Sequence, residues 1–424
     1  MNFFSKTVRL SALVVLGAVL IFEVGCGDTF RPIASPIPQP GGDPSSLDNI
    51  TIINCNGTTS RTGPLTSCAG TLRSNSQQIN VSGDSITSSV DIGPAPGYVS
   101  FDATRANYYV PNTSFDTITS IAITGTSTTL TVPVGSNPIA SAVGTSEEYI
   151  LNAGSGSVAA NLSVIGIGAN AVSATFPIGT APSFALLVGN NLFVLDRVLN
   201  QVNVYSTQQQ KFIGTIGVGT TPVFAVASFD SNFLYVINQG SSNISIIDAN
   251  ALTEVARVSS GGSGPIKAVL DRSLIRLYVV NQASNSVTGF SAINNSSLTL
   301  LGSATVGSNP IDVTVLTGGN RAFTANADGN TITEINTGSF ATKTLTVGAD
   351  ASAKVTDVAS SNDGTKIFVS TVTTGNLANG VTVIRASDDV VVNNLLAPRQ
   401  DPTCVTSTAS PCPLQQPQQF IGGK

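Results

Sequence analysis

Three charged side chains in this sequence recur at nearly equal intervals. Lys267, Asp312 and Lys354 are 45 and 42 residues apart, and each lies two residues after the end of a short glycine-containing pattern. The full set of residues at this place is Tyr98, Ala140, Phe184, Phe224, Lys267, Asp312 and Lys354. Aromatic rings beside lysine and carboxylate groups can hold a small anion or a sugar. The competing interpretation, which the sequence favours, is that the charged residues pair with one another near the centre of the fold.

Side chains for acid–base or metal chemistry are scarce. The 424 residues include no histidine, which is the commonest general base and the commonest metal ligand. Segments 229–232 and 361–366 carry aspartate, but they lack the spaced carboxylates and closing glutamate of a calcium loop and are better explained as hairpin turns. The glycine-rich segment 259–265 lacks the lysine of a phosphate-binding loop. We therefore expect no catalytic residues, no metal site and no cofactor.

A repeat of about 43 residues positions the candidate site residues. The hexapeptide VGSNPI occurs at Val134–Ile139 and again 172 residues later at Val306–Ile311. Its proline recurs at Pro96, Pro138, Pro182, Pro222, Pro265 and Pro310, while a seventh copy has Gly348 but no proline. A period of about 40–45 residues is typical of one four-stranded propeller blade.

A second marker keeps phase with the proline. An aromatic residue is followed three positions later by asparagine or a substitute, in the pairs Tyr109/Asn112, Tyr149/Asn152, Phe193/Asp196, Tyr235/Asn238, Tyr278/Asn281, Phe323/Asn326 and Phe368/Thr371. We expect the aromatic ring to pack between blades, the asparagine to bond the backbone of the next turn, and the marker glycine to adopt positive φ. A unit this small cannot cover its own faces, so neighbouring units must do so.

The cleanest copies resemble a known repeat family. LYVINQGSSNISIIDANALTEVARV (Leu234–Val258) and LYVVNQASNSVTGFSA (Leu277–Ala292) are similar to YVTN-type β-propeller repeats, and the resemblance extends over roughly Ile92–Ala397. It implies an all-β fold, a seven-bladed β-propeller of four-stranded blades. Some propellers that resemble this family are lactonases or lyases, and related ones bind quinone cofactors, so the resemblance is specific for fold rather than for activity.

Closure of the ring has more than one solution in the sequence. Seven marked units predict a propeller over residues 93–397, closed by pairing of the first and last segments through either Ile86–Ile92 or Val390–Leu396. Residues 47–92 are about one unit long but contain no aromatic residue. We interpret them as an N-terminal β cap or closing strand. The alternative is eight blades, with 47–92 as a degenerate blade.

The five cysteines divide into one single residue and two local pairs. Cys55 and Cys68 are 13 residues apart, and Cys404 and Cys412 are 8 apart, the latter in a C-terminal tail over 398–424. Local pairing is the simplest of three connectivities, although a bridge between the two ends of the chain remains open. Disulfides of this kind persist in an oxidising compartment outside the cytosol.

The N-terminus has the features of an export signal. Lys6 and Arg9 precede the apolar run Leu10–Phe22, and VGC ends at Cys26, as in a bacterial lipobox, although Glu23 departs from that pattern. We expect residues 1–25 to be a signal peptide, Cys26 to carry the lipid, and the proline-rich segment 26–46 to be a tether. Because Gly27 rather than aspartate follows the cysteine, we expect the outer membrane, with its periplasmic face, or the cell surface.

Two classes of function remain open. The first is a membrane-tethered exported propeller that acts as a binding or scaffold module for a protein or a small ligand. The alternative is an exported propeller enzyme of the lactonase, lyase or quinoprotein kind. The scarcity of acid–base side chains favours the binding module. The net charge of −5 argues against a nucleic-acid partner, and we expect a monomer.

Overall fold

A computed structural model describes residues 49–62, 65–102, 107–122, 129–169, 171–348, 350–400 and 416–421. The first strands in the chain are β1 (Asn49–Cys55), β2 (Thr58–Thr62), β3 (Leu65–Ala69), β4 (Ser74–Asn80) and β5 (Ser85–Ile92). Strands β2 and β3 form a separate hairpin, and the other three belong to a four-stranded sheet. Within the described residues, no helix is long and apolar enough to cross a membrane.

The next strands form four sheets of four consecutive strands each. Blade 1 contains β6 (Ser100–Asp102), β7 (Asn107–Asn112), β8 (Thr117–Ala122) and β9 (Thr129–Pro133). Blade 2 contains β10 (Pro138–Val143), β11 (Glu147–Asn152), β12 (Asn161–Gly166) and β13 (Val172–Pro177). Blade 3 contains β14 (Pro182–Val188), β15 (Asn191–Asp196), β16 (Gln201–Ser206) and β17 (Lys211–Gly217). Blade 4 contains β18 (Pro222–Ala227), β19 (Phe233–Asn238), β20 (Asn243–Asp248) and β21 (Thr253–Ser259).

Three further blades follow the same order. Blade 5 contains β22 (Pro265–Asp271), β23 (Arg276–Asn281), β24 (Ser286–Ser291) and β25 (Thr299–Thr305). Blade 6 contains β26 (Pro310–Val315), β27 (Arg321–Asn326), β28 (Thr331–Asn336) and β29 (Thr342–Thr346). Blade 7 contains β30 (Lys354–Ser360), β31 (Lys366–Val372), β32 (Gly380–Arg385) and β33 (Val390–Leu396), with a 3-10 turn at Thr374–Asn376. The last described strand is β34 (Gln416–Ile421).

Burial explains the residue pattern of these strands. The second strand of a blade is covered on both faces by neighbouring blades, so β19 (FLYVIN) is buried at every position after its first. A strand buried on both faces reads as a continuous apolar run. The outermost strand β21 instead alternates between exposed and half-buried residues, which is the pattern of a sheet edge with one face in water.

The ring is closed by a sheet that both ends of the chain build together. Its strand order is β34-β1-β4-β5, with β34 antiparallel to β1. Ile50 and Ile52 of this sheet pack with Phe368 of blade 7, and Ile53 and Ile92 pack with Tyr108 of blade 1. We call this sheet the closing blade, because it contacts the first and the last of the consecutive blades.

The prediction of an all-β propeller with four-stranded blades is confirmed, and the described residues form eight blades. Of the two counts that the sequence left open, the structure has the eight-bladed alternative. Residues 47–92 are therefore not a cap, since β1, β4 and β5 are blade strands. The ring is also not closed by Ile86–Ile92 or Val390–Leu396, which lie in the outermost strands of their own blades. The missing inner strand comes from the C-terminal segment predicted to be a tail.

The marker residues have functions that differ in part from the predictions. The aromatic rings do pack between blades: Tyr278 of blade 5 lies in one core cluster with Ala322 and Ile332 of blade 6. The asparagines, however, donate to the third strand rather than to the turn backbone. Asn326 Nδ2 bonds Thr331 Oγ1 at 3.2 Å and Thr333 Oγ1 at 3.0 Å. These bonds satisfy the NH₂ group of the amide, whereas Asn326 Oδ1 is buried without a partner within the described residues.

In blade 7 the marker glycine, Gly348, adopts positive φ (89°) as predicted, whereas in blade 6 the marker glycine is required by close contact and not by backbone conformation. A Cβ at Gly307 would lie 2.5 Å from Asn326 Nδ2 and 2.6 Å from its Cγ, and the φ of Gly307 is not positive. Positive φ occurs instead directly before the proline, as at Asn309 (55°) and Asn137 (57°). Asparagine adopts this region more readily than most residues.

Candidate functional site

Each complete inner strand has a β-bulge near its start, at the marker proline in blades 2 to 6 and at Val355 in blade 7. In blade 5, Pro265 pairs with Asn281 and Lys267 pairs with Val280, so that Ile266 is the extra residue. Such a bulge bends the strand and redirects side chains. The equivalent register positions are Ala140, Phe184, Phe224, Lys267, Asp312, Asp357 and Gln419, and Tyr98 joins them through a parallel bridge to Ala140. We call these eight positions, one for each blade, the axial ring.

One half of the axial ring is aromatic. The rings of Tyr98 and Phe184 meet edge to face, with centroids 5.6 Å apart and planes at 73°. Phe184 and Phe224 lie closer, with centroids 4.5 Å apart. Ala140 separates Tyr98 from Phe184 in ring order, and its small side chain lets blade 1 contact blade 3. Such aromatic pairs stabilise by about 0.5–1.5 kcal/mol beyond their buried area.

The other half is polar, with three charged residues and Gln419. Lys267 Nζ donates to Asp312 Oδ2 at 2.5 Å, and the two side chains are 11% and 0% exposed. Asp312 Oδ1 also accepts the backbone N–H of Val313 at 2.7 Å. Removing one partner of a buried pair leaves an uncompensated charge and costs about 3–5 kcal/mol. The interpretation that charged residues pair with one another therefore describes Lys267 and Asp312.

Lys354 does not join this pair, and its predicted place is wrong by three residues. Its side chain is exposed, and in register Val355 pairs with Thr371 and Asp357 with Ser370. The reason is the crossing before blade 7: the prediction placed the equivalent of the marker proline at Ser352, four residues after Gly348, whereas the bulge lies at Val355, seven residues after it. Asp357 is 2% exposed and occupies the position that Lys354 was expected to hold.

This correction changes the chemistry that the ring can recognise. The expected set had two lysines and one aspartate, whereas the observed set has one lysine and two aspartates. A small anion is therefore less well matched than the sequence indicated. A hydroxylated ring fits better, because its flat face can pack on the aromatic half and its hydroxyls can donate to carboxylates.

The cysteine predictions divide according to what the structure describes. Cys55 and Cys68 form a disulfide that links β1 to the hairpin β2–β3, as local pairing predicted. Cys26, Cys404 and Cys412 lie outside the described residues, as do the predicted signal peptide and tether.

The aspartate turns carry no cluster of metal ligands. The described residues contain no group of three or more cysteine, aspartate or glutamate side chains placed to hold a metal ion. In the 361–366 turn, Asp363 Oδ1 accepts from the Ser361 hydroxyl at 2.5 Å and from the Thr365 backbone N–H at 3.0 Å. These bonds hold the turn itself. They outweigh burial, which alone raises the pKa of Asp363, and leave that pKa below its usual value.

Two members of the axial ring were missed in the sequence, although signals for both exist. The marker proline stands 14 or 16 residues before its asparagine in every other marked unit, and counting back 16 from Thr371 gives Val355 and hence Asp357. Gln419 follows Pro417, which pairs with Asn54 as the other prolines pair with their asparagines. In the closing blade the two markers stand in reverse order along the chain, so a linear search does not join them.

The fold defines the class of protein: the chain is a β-propeller. Residues 197–315, well under half of the chain, match the family model described as lactonase, 7-bladed beta-propeller. The matched segment includes Phe224, Lys267 and Asp312 of the axial ring but no part of the closing blade. A search of curated proteins found no match.

Solved propeller structures resemble the chain at low sequence identity. Dihydro-heme d1 dehydrogenase NirN, solved with DHE, is 12% identical with a TM-score of 0.67 over 88% of this chain and 75% of its own. Sqt1 of Chaetomium thermophilum is 11% identical with a TM-score of 0.60 over 83% and 98%. The periplasmic gluconolactonase PpgL of Pseudomonas aeruginosa is 16% identical with a TM-score of 0.53 over 70% and 95%. These likenesses support the fold alone.

Proposed function

We propose that the protein is a cell-envelope propeller that binds a small hydroxylated ring, of the sugar class, at the axial ring. The observation that carries this proposal is the division of one ring into an aromatic half and a polar half. Tyr98, Phe184 and Phe224 supply apolar surface, and Lys267, Asp312 and Asp357 supply hydrogen-bonding groups. A sugar presents both kinds of surface, since its C–H face is apolar and its edge carries hydroxyls.

The geometry favours recognition by a fixed site. Phe184 and Phe224 are held by their ring contacts, and Asp312 is held by Lys267 and by a backbone N–H. A site whose groups are already ordered loses little conformational entropy when the ligand binds. Tyr98 is half-buried whereas Phe184 and Phe224 are buried, so it is the aromatic group of these three that a ligand would meet from solvent.

Ligand binding is tested on the purified protein with a panel of monosaccharides, disaccharides and sugar acids, using saturation-transfer NMR. Asp357→Asn keeps side-chain size but removes the charge, and Phe224→Leu removes the aromatic ring but keeps an apolar side chain. Phe212→Ala changes an aromatic residue that is 55% exposed on β17. We expect the axial variants to weaken binding by at least about tenfold and Phe212→Ala to leave it unchanged. Equal binding by all variants would overturn the proposal.

Envelope attachment is the second part of the proposal. It is supported by Lys6, Arg9, the apolar run Leu10–Phe22 and the small residues before Cys26. One acyl chain gives only marginal membrane affinity, so stable attachment takes more than one chain. We expect wild-type protein to incorporate labelled palmitate and to fractionate with the outer membrane. Cys26→Ser should do neither, and a labelled Cys26→Ser protein would contradict the lipid site.

Hydrolysis of a sugar lactone is a second candidate function, favoured by the family match over residues 197–315. In this case the axial ring would hold the lactone, and the Asp357 carboxylate would accept a proton from the water that adds to the lactone carbonyl. The ring ester C–O bond would then break, and the released oxygen would take that proton from Asp357 to give the open-chain hydroxy acid. Titration of acid release from gluconolactone tests this candidate. If the wild type hydrolyses the lactone and Asp357→Asn does not, the enzymatic function replaces the binding function. If the wild type binds sugar but does not hydrolyse the lactone, the enzymatic function is rejected.

A further inference from the structure

Glu148 is a buried carboxyl at a position that is apolar or aromatic in the other blades. It lies on β11, four residues before the marker Asn152, and is 3% exposed. The residues four positions before the corresponding marker are Ile50, Tyr108, Leu192, Leu234, Leu277, Ala322 and Ile367. The repeat therefore provides seven internal controls, and none of them places a charge in this layer of the core.

A cavity lies where Glu148 faces blade 1. It has a volume of about 120 Å³ and is lined on the blade 1 side by Tyr109, Ile118 and Val132, and on the blade 2 side by Glu148 and the segment 165–169. Gly168 and Ala169 of that segment are exposed, which gives the cavity a route to solvent. A cavity of roughly 150 Å³ accommodates benzene, so a ligand of a few heavy atoms fits.

One oxygen of the Glu148 carboxyl has no partner within the described residues. Glu148 Oε1 is buried and has no hydrogen-bond partner, and burial alone raises the pKa of Glu148 well above its usual range. A buried polar atom without a partner costs about 1–3 kcal/mol. This cost applies to the interface between blades 1 and 2. At the interface between blades 2 and 3 the equivalent residue is Leu192, whose aliphatic side chain is buried against blade 2.

We propose that the cavity between blades 1 and 2 binds a small organic ammonium ion. The ammonium group pairs with the Glu148 carboxylate, and the hydrocarbon part lies against Tyr109, Ile118 and Val132. A cation is the occupant that restores charge balance to an ionised carboxyl in an apolar wall. The Tyr109 ring also provides a surface that attracts cations. This site is separate from the axial ring and does not depend on the function proposed for it.

The test uses the full-length protein with n-butylammonium as the probe and 1-butanol as its neutral counterpart of similar size. Affinity is measured by ligand-observed NMR and by the rise in unfolding temperature. Glu148→Gln removes the charge and keeps the volume. Glu147→Gln is the matched control, because this neighbouring side chain bonds the Tyr149 hydroxyl and Gln210 instead. We expect Glu148→Gln to weaken butylammonium binding by at least about tenfold and Glu147→Gln to leave it unchanged.

A second variant tests the proposal even if Glu148→Gln does not fold. Glu148→Leu introduces the residue that blades 3, 4 and 5 carry at this position, and we expect it to fold, to unfold at a higher temperature and to lose butylammonium binding. The proposal is overturned if butylammonium does not bind the wild type, if it binds no more tightly than 1-butanol, or if either Glu148 variant retains wild-type affinity.

Discussion

Blade 6 and the closing blade have the same four-stranded order but are assembled in different ways. Blade 6 is one continuous segment, in which each strand pairs with the next one along the chain. The closing blade joins β34, near the C-terminus, to β1, β4 and β5, near the N-terminus. The entropic cost of closing a long loop grows only slowly with its length. The pairing of β34 with β1 therefore costs little additional entropy once the intervening blades have formed. Ring closure therefore depends on one short terminal strand.

Deleting Gln416–Lys424 should have the largest effect. The deletion removes the inner strand of the closing blade and exposes the edge of β1 that now pairs with β34. We expect a loss of more than about 5 kcal/mol in the free energy of unfolding, a size that single side-chain changes rarely reach, measured by urea denaturation. Deleting only Gly422–Lys424 is the control and should cost less than about 0.5 kcal/mol. Equal stability of the two truncated proteins would show that β34 is not needed for closure.

The disulfide gives the closing blade a constraint that blade 6 lacks. Cys55 and Cys68 are 13 residues apart and tie β1 to the β2–β3 hairpin, while blade 6 contains no cysteine. A bridge over a loop of this length stabilises by about 3 kcal/mol, chiefly by restricting the unfolded chain. We expect Cys55→Ala with Cys68→Ala to lose about this amount in urea denaturation. Cys68→Ala alone should lose as much, since it removes the same bond, and an unchanged midpoint in either would refute this account.

The contrast between these blades also explains what the sequence could and could not predict. Blade 6 has its proline, aromatic and asparagine in order along the chain, so its strands follow from the repeat. In the closing blade the proline and the asparagine are Pro417 and Asn54, and the residue three before Pro417 in the sequence is leucine rather than the glycine that precedes Pro310 in blade 6. Spacing along the chain carries no information about a pairing made by ring closure, and QPQQFI has little of the β-branched character of a central strand.

The candidate site was predictable to the same extent as the repeat. Phe184, Phe224, Lys267 and Asp312 were located from their distance to the proline, because short crossings keep that distance in register. Asp357 was displaced by a longer crossing. Glu148 required knowledge of which face of β11 meets blade 1, and that follows only from the arrangement of neighbouring blades.

A third prediction concerns the contact between marker residues in blade 6. Gly307→Ala would place a Cβ within 2.6 Å of Asn326, and Asn326→Ala would remove the bonds to Thr331 and Thr333. We expect each variant to lose about 1–3 kcal/mol in the free energy of unfolding. The double variant should lose less than the sum, because removing Asn326 relieves the collision. Strict additivity would mean that the glycine serves another purpose.

The closing blade provides the comparison for that contact. Asn54 Nδ2 makes one bond to a side chain, to Gln77 Oε1 at 3.1 Å, where Asn326 makes two. We therefore expect Asn54→Ala to cost less than Asn326→Ala in the same denaturation experiment, about 1 kcal/mol. A larger loss for Asn54→Ala would show that the terminal pairing, rather than the asparagine bonds, dominates the stability of this position.

The smallest expected effect concerns Asp196, which replaces the marker asparagine in blade 3. Burial alone raises the pKa of Asp196, but backbone N–H groups outweigh it and leave that pKa below its usual value. Thr180 and Ala181 donate to Oδ2, and Val198 and Leu199 donate to Oδ1, at 2.6 to 3.3 Å. A carboxylate accepts at both oxygens, whereas an asparagine would turn an NH₂ group toward one pair of donors.

Because the folded pKa of Asp196 is lowered, its stabilisation is present above the unfolded value of about 3.9 and is lost as the pH falls through the folded value. Asp196→Asn should therefore destabilise by about 1 kcal/mol at neutral pH, and the difference from wild type should shrink in acid. Urea denaturation of both proteins from neutral to acidic pH measures this difference in the free energy of unfolding. The contributions of the other carboxyl groups are the same in both proteins and cancel in the difference. A gap between the two proteins that stays constant into acid would mean that the negative charge of Asp196 does not contribute to its stabilising effect.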